Sequence, residues 1–333
     1  MAAPGAPASG EDSLIARYFK PLATDPGAFG LTDDAAVLKA LGEDIVVTTD
    51  AIIEGVHFLP DDPPDTIARK ALRVNLSDLA AKGATPAGFV LTLALRGVDD
   101  SWLASFAGGL GADAAKFNCR LLGGDTVSTP GPLMVSMTAF GRIPQGRMVH
   151  RSGARPGDQV VVTGTIGDAA LGLDVLRKGR VASALEGDAA SREMLVGRYR
   201  VPEPRNALAS AVRAHAHAAI DVSDGLAGDL AKLCAASGVS AVIDMPAIPL
   251  SPAASAALAG GATSMSEIMC GGDDYEILCA IPESALEAFI RAAKAAEVAV
   301  SPIGSIIAGA SVPKFLDAEG RELSLSLMSY SHF

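Results

Sequence analysis

Residues 45–58, IVVTTDAIIEGVHF, combine two hydroxyls, a carboxylate and a histidine with a run of β-branched residues. The apolar residues 45–47 predict a buried strand, because β-branched side chains suit a pleated surface and the run is too short for a helix. Side chains alternate along a strand, so Thr48 and Asp50 are expected on one side and Thr49 on the other. Oxygen ligands delivered to the tip of a strand suit a hard cation, although the same residues could simply terminate the strand.

Further acidic residues recur at predicted strand ends and turns along the whole chain. If four of them faced one cleft, their mutual repulsion would reach several kcal/mol at moderate dielectric, on the order expected for close like charges, and cations would be needed to neutralise it. Carboxylates and hydroxyls without clustered histidine or cysteine favour Mg²⁺, which is commonly shared with substrate phosphates. The acids are Asp34, Asp50, Asp78, Asp125, Asp221, Asp224, Asp273 and Asp274.

Several of these positions also have a purely structural interpretation. The paired acids of TDDAAVL could form a solvated turn, and Asp78 could belong to a polar helix face. The two glycines before Asp125 let a backbone approach a ligand closely, but a tight turn would use them as well. Ser223 or Asp224 could cap the helix that follows, which leaves Asp221 without an explanation.

The elements that position these residues are expected to form two domains, because single cores seldom exceed about 250 residues. Residues 142–151 form a loop rich in glycine, arginine and proline, and a fresh strand is predicted at residues 159–164. We therefore predict a flexible leader over residues 1–10, an N-terminal domain over 11–148 and a C-terminal domain over 149–333.

Composition excludes several classes of partner. The formal net charge of −11 argues against nucleic acid, and a phosphorylated substrate would then need bridging cations. No apolar run approaches the roughly 20 residues that cross a bilayer, and the first ten residues do not have the pattern of a signal peptide. The four cysteines form no CxxC pair and stand in apolar or glycine-rich surroundings, so we expect small buried residues of a reducing compartment. We expect a cytoplasmic protein without a membrane partner.

Two common classes of nucleotide-binding enzyme are excluded. The sequence contains neither the GxxxxGK[ST] loop of P-loop proteins nor the HRD and DFG motifs of protein kinases. Eight ordered motifs instead resemble those of the thiamine-monophosphate kinase family, over nearly the whole chain from Gly10 to Phe333. They are GEDSLI, TDDAAVL, TTDAIIEGVHF, NLSDLAAKGA, LLGGDT, RSGARPGD, IDVSDGL and GGDDYE.

This resemblance implies a fold and an activity. The family belongs to the group of aminoimidazole ribonucleotide synthetase, so the expected fold is α+β in two domains, with ATP between the domains. A homodimer joined through its N-terminal sheets is also implied. The expected reaction transfers the γ-phosphate of ATP to thiamine monophosphate and gives thiamine diphosphate, in a site that holds several Mg²⁺ ions.

The resemblance also implies roles for individual residues. The expected metal ligands are Asp34, Thr48, Thr49, Asp50, Asp78, Asp125, Asp221 and Asp224. The expected ATP contacts are Gly124, Asp125, Arg151 and Ser223, and the expected substrate contacts are His57, Asp273 and Tyr330. Asp273 stands where the family commonly has glutamate. Thr49 faces away from Asp50, so it can join the metal site only if the strand has already ended or through its carbonyl oxygen.

No residue is expected to act as a covalent nucleophile or a general base, because the acceptor phosphate is already an anion at neutral pH. We expect direct in-line transfer, with His57 positioning the substrate. Another ATP-using enzyme of the same group is the nearest alternative, but a reactive cysteine near either end, which would favour it, does not occur in this sequence. A divalent-cation-binding protein without catalysis is the alternative from a different class.

Overall fold

The computed structural model describes residues 14–26, 28, 38, 40, 42–97 and 99–323. The chain divides into two compact units, one of residues 1–75 and 86–142 and the other of residues 76–85 and 143–333. Each unit combines a sheet with helices, so the α+β prediction is confirmed. Residues 76–85, the end of a helix and the turn after it, group with the second unit, an assignment that nothing in the sequence pattern signals.

The first unit contains a four-stranded sheet in the order β1-β4-β2-β3, in which β2 and β3 are parallel. Two long helices accompany it, and the first of them continues into residues of the second unit. The strands are β1 Glu43–Ile53, β2 Thr85–Leu95, β3 Arg120–Ser128 and β4 Met134–Pro144, and the helices are α1 Pro64–Ala81 and α2 Asp100–Lys116. A short π-helical turn, Ile15–Phe19, and a 3₁₀ turn, Lys20–Leu22, precede the sheet.

Helix α2 shows how local sequence sets these elements. The Asp99 carboxylate accepts hydrogen bonds from the backbone N–H groups of Ser101 and Trp102, which satisfies donors that a helix start leaves unpaired. Phe106 and Leu110, four residues apart, are fully buried and anchor the helix in the apolar core. This face of α2 therefore forms part of the core.

Strand β1 is present where the sequence predicts it, but two details of that prediction are wrong. Its side chains are not buried on both faces, since Val47 is 58% exposed. The strand also runs on to Ile53, so Asp50 lies within it and not at its tip. The first difference follows from the alternation of side chains, because Val47, Thr49 and Ala51 lie together on the exposed face of β1.

The second unit contains a six-stranded sheet in the order β10-β7-β9-β5-β8-β6. In its centre, β5 is antiparallel to both β8 and β9. The strands are β5 Gln159–Thr163, β6 Ala218–Val222, β7 Ser240–Asp244, β8 Glu276–Ile281, β9 Val300–Ile307 and β10 Lys314–Leu316. The helices are α3 Asp168–Leu176, α4 Arg180–Ala184, α5 Ala189–Arg200, α6 Ala209–His215, α7 Leu226–Ser237, α8 Pro252–Ala259, α9 Met265–Cys270 and α10 Glu283–Ala295.

Both faces of this sheet are covered by apolar packing. Val160 and Val162 of β5 belong to one hydrophobic cluster, and Val161 between them belongs to the other. A strand buried on both faces needs an uninterrupted apolar sequence, which is why QVVVT carries no alternation. In the described ranges, no helix has both the length and the apolar character needed to cross a bilayer.

Candidate functional site

The junction between β6 and α7 holds three of the predicted site residues. The helix begins after Gly225, and within the described chain no side chain caps it. Instead, the carboxylate of Asp229, which is fully buried, accepts hydrogen bonds from the backbone N–H groups of Ser223 and Asp224, at 3.0 and 2.9 Å. The capping interpretation of Ser223 and Asp224 is therefore wrong. Asp229 was missed, although an acid in the first turn after DVSDG is a recognisable signal.

The glycine-rich loop before β8 packs directly on this junction. The backbone N–H of Asp273 donates to the carbonyl oxygen of Ser223, and that of Tyr275 donates to Val222, both at 2.8 Å. A Cβ at Gly272 would lie 2.6 Å from the Ser223 oxygen, so only glycine permits this approach. The motifs IDVSDGL and GGDDYE, about 50 residues apart in the chain, thus form one local structure.

Asp221 is the buried acid of this structure, with 7% of its surface exposed. Ser77 Oγ donates a 2.8 Å hydrogen bond to its carboxylate. Burial first, and then the nearby charge of Asp78, raise the pKa of Asp221 well above its ordinary value, while the Ser77 hydrogen bond and Lys82 oppose that rise. Asp78 and Asp221 therefore form a repelling pair that an added cation would relieve.

Arg151 follows a segment that connects the end of α1 to β6. The backbone N–H of Val149 donates to the Lys82 carbonyl at 3.1 Å, and that of Ala219 donates to the His150 carbonyl at 3.0 Å. Burial chiefly, and the positive charge of Arg151 as well, lower the pKa of Lys82. The exposed Arg151 guanidinium and the carboxylates of Asp78 and Asp221 therefore all influence the pKa of Lys82. The second unit thus contains predicted residues from four separate motifs.

In the first unit, side chains alternate along β1 as expected. Thr48 and Asp50 are half-buried, whereas Thr49 is exposed. The Thr49 hydroxyl donates to the Met137 carbonyl oxygen at 3.1 Å and accepts from the Thr138 hydroxyl at 3.0 Å. This hydroxyl is thus bonded to the neighbouring strand β4, on the side opposite to Asp50.

His57 lies just after β1 in a turn that fixes its ring. Its Nδ1 accepts a 3.0 Å hydrogen bond from the backbone N–H of Ile53, and its carbonyl oxygen accepts one of 2.8 Å from Lys70 Nζ. Lys70 is buried, with 1% of its surface exposed. Because Nδ1 is the acceptor, the neutral ring carries its hydrogen on Nε2 and presents a donor there.

The glycine pair before Asp125 lies inside strand β3 and forms no turn. Gly124 pairs with Leu91 on the parallel strand β2, and a Cβ at Gly124 would lie 1.9 Å from the Leu91 carbonyl oxygen. A Cβ at Gly123 would meet no described atom within 4 Å. The tight-turn interpretation is wrong, and Gly124 is required by strand packing whether or not a ligand binds beside it.

Strand order separates two of the predicted metal ligands. Asp50 lies on β1 and Asp125 on β3, the opposite edges of a four-stranded sheet. At about 4.8 Å per strand, the two edges are about 14 Å apart across the sheet. Within this unit, one metal ion therefore cannot contact both residues.

Two predicted site residues, Asp34 and Tyr330, lie outside the described residues. Among the residues that are described, no group of three or more histidine, cysteine, aspartate or glutamate side chains is placed to hold a metal ion. Besides burial, the charges of Asp78 and Asp229 raise the pKa of Asp221, and the charge of Asp224 raises that of Asp229.

Comparison with known proteins decides the family. Models of AIR synthase related proteins match the chain twice, with the N-terminal domain at residues 32–143 and the C-terminal domain at 155–313. Thiamine-monophosphate kinase of Caulobacter vibrioides is 46% identical over 337 residues, which cover 99% of this chain and 93% of that protein. The chain belongs to the thiamine-monophosphate kinase family.

Solved structures of the family agree with the fold. The thiamine-monophosphate kinase of Stenotrophomonas maltophilia K279a superposes with a TM-score of 0.81 at 36% identity, covering 91% of this chain and 94% of that one. A structure described as AaThiL complexed with AMPPCP and TMP superposes with a TM-score of 0.75 at 27% identity, covering 92% and 97%. The predicted resemblance to thiamine-monophosphate kinases is therefore confirmed.

The GGDDYE loop of this family member has a backbone that suits its aspartate. Asp273 has a φ of 71°, in the left-handed region that aspartate adopts more readily than most other residues. Its carboxylate accepts a 3.2 Å hydrogen bond from the Tyr275 hydroxyl. The aspartate at this position therefore has a local partner.

The raised pKa of Asp221 predicts how pH affects stability in this kinase family member. The folded protein holds the Asp221 proton more tightly than the unfolded chain does, so the resulting stabilisation is complete below the ordinary value of 3.8 and is lost as pH rises through the raised pKa. Denaturant unfolding from about pH 4 to 8, with a chelator present, should show the wild type losing stability relative to Asp221→Asn as pH rises. A difference that stays constant with pH would contradict this cause.

Proposed function

We propose that this chain phosphorylates thiamine monophosphate to thiamine diphosphate, with ATP as phosphoryl donor, by direct in-line transfer assisted by several Mg²⁺ ions. The observation that carries the proposal is the meeting of IDVSDGL, GGDDYE and the Asp78 helix around one buried acid, in a chain 46% identical to a thiamine-monophosphate kinase. The structure described as containing AMPPCP and TMP supports the same pair of substrates.

The residues fit a magnesium site that is completed by phosphates. Burial mainly, and the charge of Asp78 as well, raise the pKa of Asp221, and a divalent cation would neutralise both acids. Mg²⁺ usually binds through one or two carboxylates together with water and substrate phosphates, so a ready-made cage of acids is not required. We propose Asp34, Thr48, Thr49, Asp50, Asp78, Asp125, Asp221 and Asp224 as ligands.

Two features of the first unit refine this set. The Thr49 hydroxyl is bonded to β4, so its contribution would come through the carbonyl oxygen. Asp50 and Asp125 lie on opposite edges of the sheet, so more than one ion is needed if both are ligands. A polyphosphate chain with several bridging ions satisfies both conditions.

The substrates are assigned to the remaining predicted residues. Gly124, Asp125, Arg151 and Ser223 would contact ATP, and the Arg151 guanidinium suits a phosphate oxygen. His57, Asp273 and Tyr330 would contact thiamine monophosphate. Bound Mg²⁺ would supply charge neutralisation between the two phosphates, and the Nε2–H group of His57 would donate a hydrogen bond to the acceptor phosphate. No protein group needs to accept a proton or a phosphoryl group.

We also propose a homodimer in the cytoplasm. The edge strand β1 exposes Val47 and leaves one side of the strand without a neighbour in this sheet, as far as the described residues extend. Exposed edge strands are templates for pairing with another chain, and a second copy would cover this one.

Release of ADP tests the function. Purified protein with ATP and Mg²⁺ should release ADP rapidly only when thiamine monophosphate is added, and a chelator should stop the reaction. ADP release that does not depend on the acceptor would favour another ATP-using enzyme of the same group. No release under any of these conditions would favour a divalent-cation-binding protein without catalysis.

His57→Ala should raise the KM for thiamine monophosphate by about tenfold or more, because a hydrogen bond to a charged phosphate is lost. The pH profile of kcat should keep its shape, since the His57 ring is proposed to donate a hydrogen bond and not to abstract a proton. His215→Ala serves as the control, because His215 packs edge-on against Phe289 in the second unit. Loss of the acidic limb of the kcat profile in His57→Ala would show that His57 abstracts a proton as a general base.

A further inference from the structure

The ammonium group of Lys232 lies between two carboxylates of the candidate site. Lys232 Nζ donates to Asp224 Oδ2 and, at 2.8 Å, to Asp229 Oδ1. Asp229 and Lys232 are three residues apart on α7, so the helix itself holds them on one face. A positive charge therefore already lies against the carboxylate that would bind a metal cation at Asp224.

The two acids bound by Lys232 are held very differently. Asp229 is fully buried, and its other oxygen accepts the backbone N–H groups of Ser223 and Asp224, so its carboxylate is fixed. The Asp224 side chain is 34% exposed, and that of Lys232 is 37% exposed. A lysine on a flexible four-carbon stem can move from one acid into solvent and stay bound to the other.

We infer that Lys232 is a resident counter-charge for Asp224, which neutralises this carboxylate in the metal-free protein and competes with a divalent cation for it. Lys232 is then a positioning residue that sets the metal affinity of Asp224, with Asp229 as the anchor that keeps the ammonium beside the site. The inference rests on the proposed function in one respect, the assignment of Asp224 as a metal ligand.

Mn²⁺ binding to the nucleotide-free protein, followed by the electron paramagnetic resonance signal of free Mn²⁺, tests the inference without turnover. Lys232→Met removes the charge and keeps the length of the side chain. It should bind Mn²⁺ about two- to fivefold more tightly, as expected for loss of a competing, partly exposed ion pair. Lys232→Arg keeps the charge and should stay close to wild type. If Lys232→Met does not fold, Lys232→Gln serves in its place.

Asp224→Asn completes the test as a double-mutant cycle. It should weaken Mn²⁺ binding and remove the effect of Lys232→Met. Equal or weaker Mn²⁺ binding by Lys232→Met, or tightening that persists without Asp224, would overturn the inference. Acceptor-dependent ADP release tests the proposed function separately, so a chain that turns over substrate but shows no Lys232 effect would refute the inference alone. A chain that shows the effect but no turnover would refute the proposed function alone.

Discussion

Asp221→Asn should lower kcat by about 10²- to 10³-fold, the loss expected when one preorganised electrostatic group is removed from a phosphoryl-transfer site. Asn is nearly isosteric and can still accept the 2.8 Å hydrogen bond from Ser77 Oγ, so the fold should persist. The substitution also ends the repulsion with Asp78 that contributes to the raised pKa of Asp221. The metal-free variant should therefore unfold at a higher temperature than the wild type at neutral pH.

Steady-state kinetics at saturating substrates, together with thermal unfolding in a chelator, measure both effects. Asp158→Asn is the matched control, because Asp158 is a buried acid of the same unit that pairs with His217 and the Arg155 backbone. It should lose stability and keep most of its kcat. An unchanged kcat in Asp221→Asn would show that the Asp221 carboxylate does not contribute to the reaction.

Gly124→Ala should destabilise the protein by about 3 kcal/mol, at the upper end of the range for overpacking a filled site. The added methyl group would lie 1.9 Å from the Leu91 carbonyl oxygen, so the β2 and β3 strands must separate locally. Rigid backbone atoms cannot relieve this overlap as a flexible side chain would. The cost falls on folding itself and is independent of any nucleotide.

The adjacent glycine provides the control for this prediction. Gly123→Ala meets no described atom within 4 Å and should change the free energy of unfolding by about 0.5 kcal/mol or less. Urea denaturation of both variants without ligands gives the comparison. Equal stability of the two variants would show that the packing of β2 on β3 does not require glycine at position 124.

The sequence predicts well those features that depend on local pattern. The alternation at Thr48, Thr49 and Asp50 predicts their sides of β1, and the spacing of Phe106 and Leu110 predicts a core-facing helix. Ordered motifs predict the family, because eight short segments in one order rarely arise together without common ancestry. Such features can be predicted without knowing the tertiary contacts.

Features that depend on strand neighbours are not predictable in this way. The exposure of Val47 follows from which face of β1 the rest of the fold leaves uncovered, and the need for Gly124 follows from its pairing with Leu91. The ends of a strand are also hard to predict, so Asp50 lies inside β1 and not at its tip. Pairing across the sheet is set by tertiary contacts that a single strand sequence does not encode.

In the candidate site, too, motif residues are predictable from the sequence and their supporting contacts are not. The predicted residues of IDVSDGL and GGDDYE do meet, but the groups that hold them, Asp229 and Lys232, were not predicted. The sequence shows Asp229 only as an acid in the first turn of α7, and the fold is needed to show that it binds Ser223 and that Lys232 binds Asp224.

The central claim is that the γ-phosphoryl group passes directly from ATP to thiamine monophosphate. A single-turnover experiment with γ-³²P-labelled ATP, Mg²⁺ and thiamine monophosphate, stopped by acid at successive times, tests it most directly. The label should leave ATP and enter thiamine diphosphate at the same rate, with none on the protein. Label that reaches the protein first, or that enters only inorganic phosphate, would contradict direct transfer to this acceptor.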